Sequence, residues 1–235
     1  MEIFDKVVLN TLDLLNQYNG ESLRLSSSFK LVKEKTFIFP SSSYIELGAS
    51  SCPSCYLISY TSNQNLVSKD ETILIGKDIK DLKGDVPFAR VALLLVEDEH
   101  QKDQQIYRTL RDIEYKRYKL NLPSYMARFN TNQIREGARL DIDAIKNGLS
   151  FADIGYLFAS LYKESKNVKA VKQIFITDPN FDYTKLREIS SSNEEIIVAL
   201  DSILKKLKMD CATCSFKDIC DEIEGMRDIH KKENP

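Results

Sequence analysis

The chain has 235 residues, 43% hydrophobic and 29% charged, the makeup of a globular protein large enough for one domain with an appended module. Its 33 basic and 35 acidic side chains nearly cancel to a net charge of −2, without the basic excess that nucleic-acid binders carry. No apolar run approaches the roughly 20 residues a membrane-spanning helix needs, and the charged, interrupted N-terminal stretch is unlike a secretory signal, so the expected compartment is the cytoplasm.

In chain order, Ile3, Val7, Val8, Leu12 and Leu15 recur at helical spacing and predict a helix over residues 3–18, stopped at Asn19-Gly20. SLRLSSSFKLVKEKTFIFP predicts strands or an irregular hairpin ending at Pro40, and YLISYTS and ETILIG read as further strands. ARVALLLVE is a continuous apolar run, the pattern of a strand buried on both faces. DQQIYRTLRDIEYKRYKL predicts a long helix whose alternating charges mark a solvated face. A short strand is expected at Tyr125 to Phe129, a helical turn at TNQIREGA and an extended piece at RLDI. LSFADIGYLFASLYKES follows as a helix with Ser150 as its cap, then AVKQIFITDP as a buried strand. EEIIVALDSILKKLK is a third helix, leading into a helical tail. Alternating strands and helices predict an α/β fold: a mixed sheet with flanking helices, and a C-terminal cysteine-bearing helical tail. The segments divide as 1–65, 66–190 and 191–235, joined in one compact unit. With 8 glycines in all, neither phosphate-cradling motif, GxGxxG or GxxxxGK[ST], occurs.

All 5 cysteines fall in two knots, Cys52 and Cys55 in CPSC, and Cys211, Cys214 and Cys220 in CATCSFKDIC. Thiolates are soft ligands, and cysteines at CxxC spacing can reach one metal from a turn. Two ligand sets compete. Zinc would take Cys52, Cys55, Cys211 and Cys214. A 4Fe-4S cluster would take Cys211, Cys214, Cys220 and either Cys52 or Cys55, and it uses the CxxCx5C block as a unit. In both readings the metal joins the two ends of the chain, as a redox centre or as a purely structural staple. His100 and His230, the only histidines, lie in charged surroundings and read as solvated surface residues. With so little histidine, a Ser-His-Asp or Cys-His nucleophilic site is not expected.

The middle of the chain, residues 71 to 179, resembles the central α/β domain of acetyl-CoA synthase, the beta subunit of the carbon monoxide dehydrogenase/acetyl-CoA synthase complex. The features in common are Gly76, Asp78 and Ile79 after one strand, and Asp143, Ala144 and Gly148 before a helix. Ile154 and Gly155 lie within that helix, and Thr177-Asp178 ends the last strand. The nickel-cluster domain of that family, with its Gly-Cys-x-Cys element, has no counterpart here, so no step of acetyl-CoA assembly is carried over to any residue. The resemblance implies an accessory or divergent member of that system from anaerobic metabolism. Such a member would carry one cluster for electron transfer or docking, beside a carbon monoxide dehydrogenase/acetyl-CoA synthase or corrinoid partner. CxxCxFxxIC also resembles the cluster-binding end of iron–sulfur exonucleases of the RecB type. In those a Glu-x-Lys pair sits on a strand, whereas here Glu114-Tyr115-Lys116 falls in a predicted helix.

Overall fold

The computed structural model describes residues 2–25, 44–97, 110–113, 115–116, 122 and 124–204. A 3-10 turn at Glu2–Phe4 leads into helix α1 (Asp5–Leu15), whose buried face is Val7, Val8, Thr11, Leu14 and Leu15. The strands are β1 (Glu21–Leu23), β2 (Tyr44–Leu47), β3 (Ser54–Thr61), β4 (Glu71–Ile75) and β5 (Phe88–Val96). They continue with β6 (Tyr125–Asn130), β7 (Arg135–Asp141) and β8 (Val168–Ile176). Helices α2 (Ile142–Lys146), α3 (Phe151–Lys163) and α4 (Tyr183–Leu204) complete the named elements.

The main sheet has 5 strands in the order β1-β4-β8-β5-β3 and is mixed, as the alternating elements predict. β4 and β8 are parallel, β8 and β5 antiparallel, β5 and β3 parallel. The continuous apolar run of β5 lies at Phe88–Val96 with every residue buried, beside the central β8. The two faces separate by alternation. Tyr56, Arg90 and Phe175 share one register row and therefore one face. That face receives α3 and the second sheet, where Phe151 stacks on Phe175 with ring centroids 4.7 Å apart. Cys55, in the adjacent row with Ala89, looks the other way, toward α4.

The second sheet, β2-β7-β6, is antiparallel throughout and crosses the main sheet at β3 and β5. It was not anticipated in that form. The predicted helical turn is a 3-10 turn confined to Thr131–Gln133, and REGARLD is strand, held by partners on both sides rather than by an alternating pattern of its own. Helix α3 starts where expected, with a reciprocal cap between Ser150 and Asp153. Helix α4 is longer than the predicted third helix, 22 residues from Tyr183, and it runs through the 190/191 boundary. β1 and β3, both from the first sequence segment, flank β4, β8 and β5 from the second and are the outer strands among the described residues. Residues 110–113 and 115–116 are helical, in agreement with the predicted long helix. The tail from 205 onward lies outside the described residues.

Candidate metal centre

One end of the main sheet gathers the C-terminal ends of β4 and β8, the N-terminal ends of β3 and β5, and the first turns of α3 and α4. The CPSC knot sits there. Residues 49–52 form a tight turn closed by the Cys52 amide donating to Ala49 O at 2.8 Å. A single guanidinium fixes this turn to β3. Arg135 Nε donates to Ser54 Oγ at 2.8 Å, while Nη2 donates to Ala49 O and Cys52 O, both at 2.9 Å. Cys52 is partly exposed on the rim, close to Tyr183 at the start of α4. Burial first, then the nearby Asp178 and Cys52, push the Tyr183 phenol upward. A polar cleft of about 310 Å³ opens beside the turn, lined by Ser54, Arg128, Asn130 and Arg135 among others.

Cys55 has a different situation. It is the second residue of β3 rather than part of the turn, and it is fully buried beneath α4. Its Sγ lies 3.6 Å from Tyr56 O and 3.5 Å from Ser190 Oγ. The Ser190 hydroxyl donates its own proton to Leu186 O at 2.8 Å, which leaves the Cys55 thiol as the donor in this group. Burial pushes the Cys55 thiol up from 9.0 to about 11, against smaller opposing effects of Ser190 and Arg187. Cys55 is therefore engaged in the core as an S–H donor. Of the two cysteines in CPSC, Cys52 is the one nearer the surface.

Cys211, Cys214, Cys220, His100, His230 and Glu114 lie outside the described residues. Among the described residues no group of three or more His, Cys, Asp or Glu side chains is assembled for a metal ion. Lys116 sits in a helical segment and pairs with Glu164, the C-cap of α3, at 3.1 Å.

Most of the residues on which an acetyl-CoA synthase resemblance is expected have backbone tasks, while Ile79 and Ile154 are buried in the core. Gly76 has φ +113, and a Cβ there would lie 2.5 Å from the Asp178 amide nitrogen. Thr177 Oγ1 accepts from the Lys77 amide and donates to Lys77 O, both at 2.8 Å, tying the ends of β4 and β8 together. Asp78 accepts from the Ile79 amide at 2.8 Å and from Phe151 at 3.0 Å, so it caps a 3-10 turn and also reaches the first turn of α3. Gly155 lets α3 approach β4, since a Cβ there would meet Thr72 Oγ1 at 2.4 Å. Asp143 and Ala144 donate backbone amides to Asp141, the cap of α2, and Gly148 follows that helix at φ +94. These residues hold a scaffold in shape.

Sequence reasoning missed Arg90 and Glu136, both fully buried. Arg90 Nε and Nη2 donate to the two carboxylate oxygens of Glu136 at 2.6 and 2.7 Å, a bidentate pair. Nη1 donates to the Tyr162 hydroxyl at 3.0 Å, Tyr125 donates to Glu136 at 3.3 Å, and the guanidinium lies 4.2 Å from the centre of the Phe158 ring. Burial, the largest single effect, opposes the Arg90 charge, but Glu136 together with Tyr162 and Tyr125 outweighs it and holds the guanidinium above its ordinary value. The network joins β5, β7, β6 and α3. Its only trace in the sequence is a lone arginine inside the apolar run FARVALLLV.

A search against models of known protein families finds none that matches this chain, and no curated protein matches it.

Proposed function

We propose that this chain is an iron–sulfur protein in which Cys211, Cys214 and Cys220 hold one 4Fe-4S cluster together with Cys52. It serves as a divergent or accessory member of the carbon monoxide dehydrogenase/acetyl-CoA synthase system and works in the cytoplasm. The observation that carries the reading is the asymmetry of the first knot. Cys52 sits on an exposed turn pinned by Arg135, while Cys55 is sealed in the core with its proton engaged. One available donor remains, and a block of three cysteines lacks one of the four thiolates a cluster takes. A zinc site drawn from both knots would need Cys55, which lies buried beneath α4 with its thiol held by Tyr56 O and Ser190.

Chain reach sets a condition on this set of ligands. Helix α4 runs alongside β3 from the CPSC end toward the far end: Arg187 contacts Ser54, Ser190 contacts Cys55 and Asn193 contacts Ile58. Its 22 residues span about 33 Å. Fully extended, the ten residues from Leu204 to Cys214 cover about 35 Å, comparable with the length of α4, so this ligand set is within chain reach. When bound, such a cluster passes single electrons at a potential set by its hydrogen bonds and exposure. The matching partner is a carbon monoxide dehydrogenase/acetyl-CoA synthase or corrinoid protein.

Anaerobic purification followed by iron, sulfide and zinc analysis tests the reading, with about four iron and four sulfide per chain expected. Cys55→Ser should keep the iron and Cys52→Ser should lose it or change its electron paramagnetic resonance signal. A colourless, zinc-only protein ends the proposal, and so does full iron retention with an unchanged electron paramagnetic resonance signal in Cys52→Ser. If the cluster forms but shows no reversible redox step, the metal is a structural staple in a binding module.

A further inference from the structure

The hydrogen bonds of Arg135 all go to neutral acceptors: Nε to Ser54 Oγ, and Nη2 to Ala49 O and Cys52 O. They use three of the guanidinium's N–H donors and leave those on Nη1 without an acceptor among the described residues. No described carboxylate pairs with Arg135 either, so its charge is held in place but not neutralised. A donor fork already fixed by other bonds needs no further ordering when an anion arrives.

Arg135 lines the polar cleft of about 310 Å³ that opens beside the CPSC turn. Across the β6–β7 ladder it stands opposite Asn130, and Arg128 stands opposite Gly137. Alternation puts these four on one face of the second sheet, opposite to the face on which Glu136 meets Arg90. Gly48 and Gly137 contribute bare backbone, and Ser50, Asn130 and Gln133 add exposed, uncharged polar groups. Neither Asp nor Glu is among the lining residues. Arg128 pairs with Glu46 on β2, a carboxylate that also lies 3.9 Å from Arg139.

From this set of donors we propose that the cleft binds a phosphate group, free or carried on a small ester. Arg135 supplies the charge and the forked donor of Nη1, with Arg128 as a second cation. Asn130, Gln133 and Ser50 supply neutral donors for the remaining oxygens. A phosphate offers three terminal oxygens, which suits donors beyond a single fork better than the two oxygens of a carboxylate do. The volume lies at the small end of the range that ligand sites occupy. The site is independent of whether the cysteines hold a metal.

Calorimetric titration of the full-length protein with glycerol phosphate, inorganic phosphate and acetate, at constant ionic strength, tests it. One saturable site for the phosphates is expected, with acetate binding more weakly. Tighter binding of glycerol phosphate than of inorganic phosphate identifies an ester ligand, and equal binding identifies free phosphate. Asn130→Asp/Gln133→Glu puts two carboxylates on the lining at exposed positions and touches none of the bonds that hold the turn. It should weaken phosphate binding about tenfold or more while circular dichroism stays unchanged. Absence of saturable phosphate binding overturns the proposal, as does acetate binding as tightly as the phosphates or a double variant that binds like the wild type. Should the double variant fail to fold, Gln133→Glu alone must still weaken binding by a smaller factor; wild-type affinity there overturns the site.

Discussion

Cys55 carries its proton because the space around it offers hydrogen-bond acceptors and no water. Its thiol is raised from 9.0 to about 11, first by burial, with Ser190, Arg187 and the Tyr56 backbone opposing and Glu136 adding to the rise. In the unfolded chain the thiol ionises near 9.0, while the folded protein keeps it protonated until about pH 11. Folding is thus unaffected below pH 9, and the unfolded state alone sheds a proton as the pH rises above it. Stability should fall by roughly 2–3 kcal/mol between pH 9 and 11, at 1.36 kcal/mol per unit. Urea unfolding at pH 8, 9, 10 and 11 measures it. The Cys55→Ser variant, whose hydroxyl does not ionise there, should show a flatter profile over the same interval.

Among the elements, β5 and β7 are locked by a salt bridge with no solvent on either partner. Removing one member leaves an uncompensated buried charge, whereas removing both with apolar groups of similar size leaves a packed core. Glu136→Gln should therefore cost about 3–5 kcal/mol in urea unfolding. Arg90→Met/Glu136→Leu should cost distinctly less than the single change, and if it costs as much, the network owes its stability to packing rather than charge pairing. The turn at Gly76 and the contact at Gly155 act between elements as well. The first accommodates a positive φ against the Thr177–Asp178 backbone, and the second brings α3 down onto Thr72. Such glycines are visible in the sequence, but their partners lie about 100 and 83 residues away, where no local pattern points.

For the molecule as a whole, the described residues form a core of their own. α1, α3, α4 and the second sheet bury both faces of the main sheet, and their apolar side chains form one continuous cluster. If the proposed cluster is present, removing its iron with an anaerobic chelator should bleach the colour while leaving far-ultraviolet circular dichroism and the cooperative urea transition in place. A fully unfolded apo protein would mean that the metal, rather than this core, carries the fold.

Wherever the determinants lie within a few residues of each other, the sequence was enough. Ser150 and Asp153 cap α3 across one turn, the apolar run of β5 announces a strand buried on both faces, and thiol number and spacing frame the metal hypothesis. CPSC presents Cys52 and Cys55 as equals, since both satisfy the same spacing. Only α4, laid on β3 from residues 135 positions further along, seals one thiol and leaves the other at the rim. Likewise REGARLD becomes a strand because β2 and β6 flank it, and Arg90 finds Glu136 because β7 crosses β5. Caps, turns and runs are short-range and written locally. The protonation of a buried thiol, the partner of a buried charge and the covering of an outer strand depend on distant segments excluding water together, which happens only once the chain has folded.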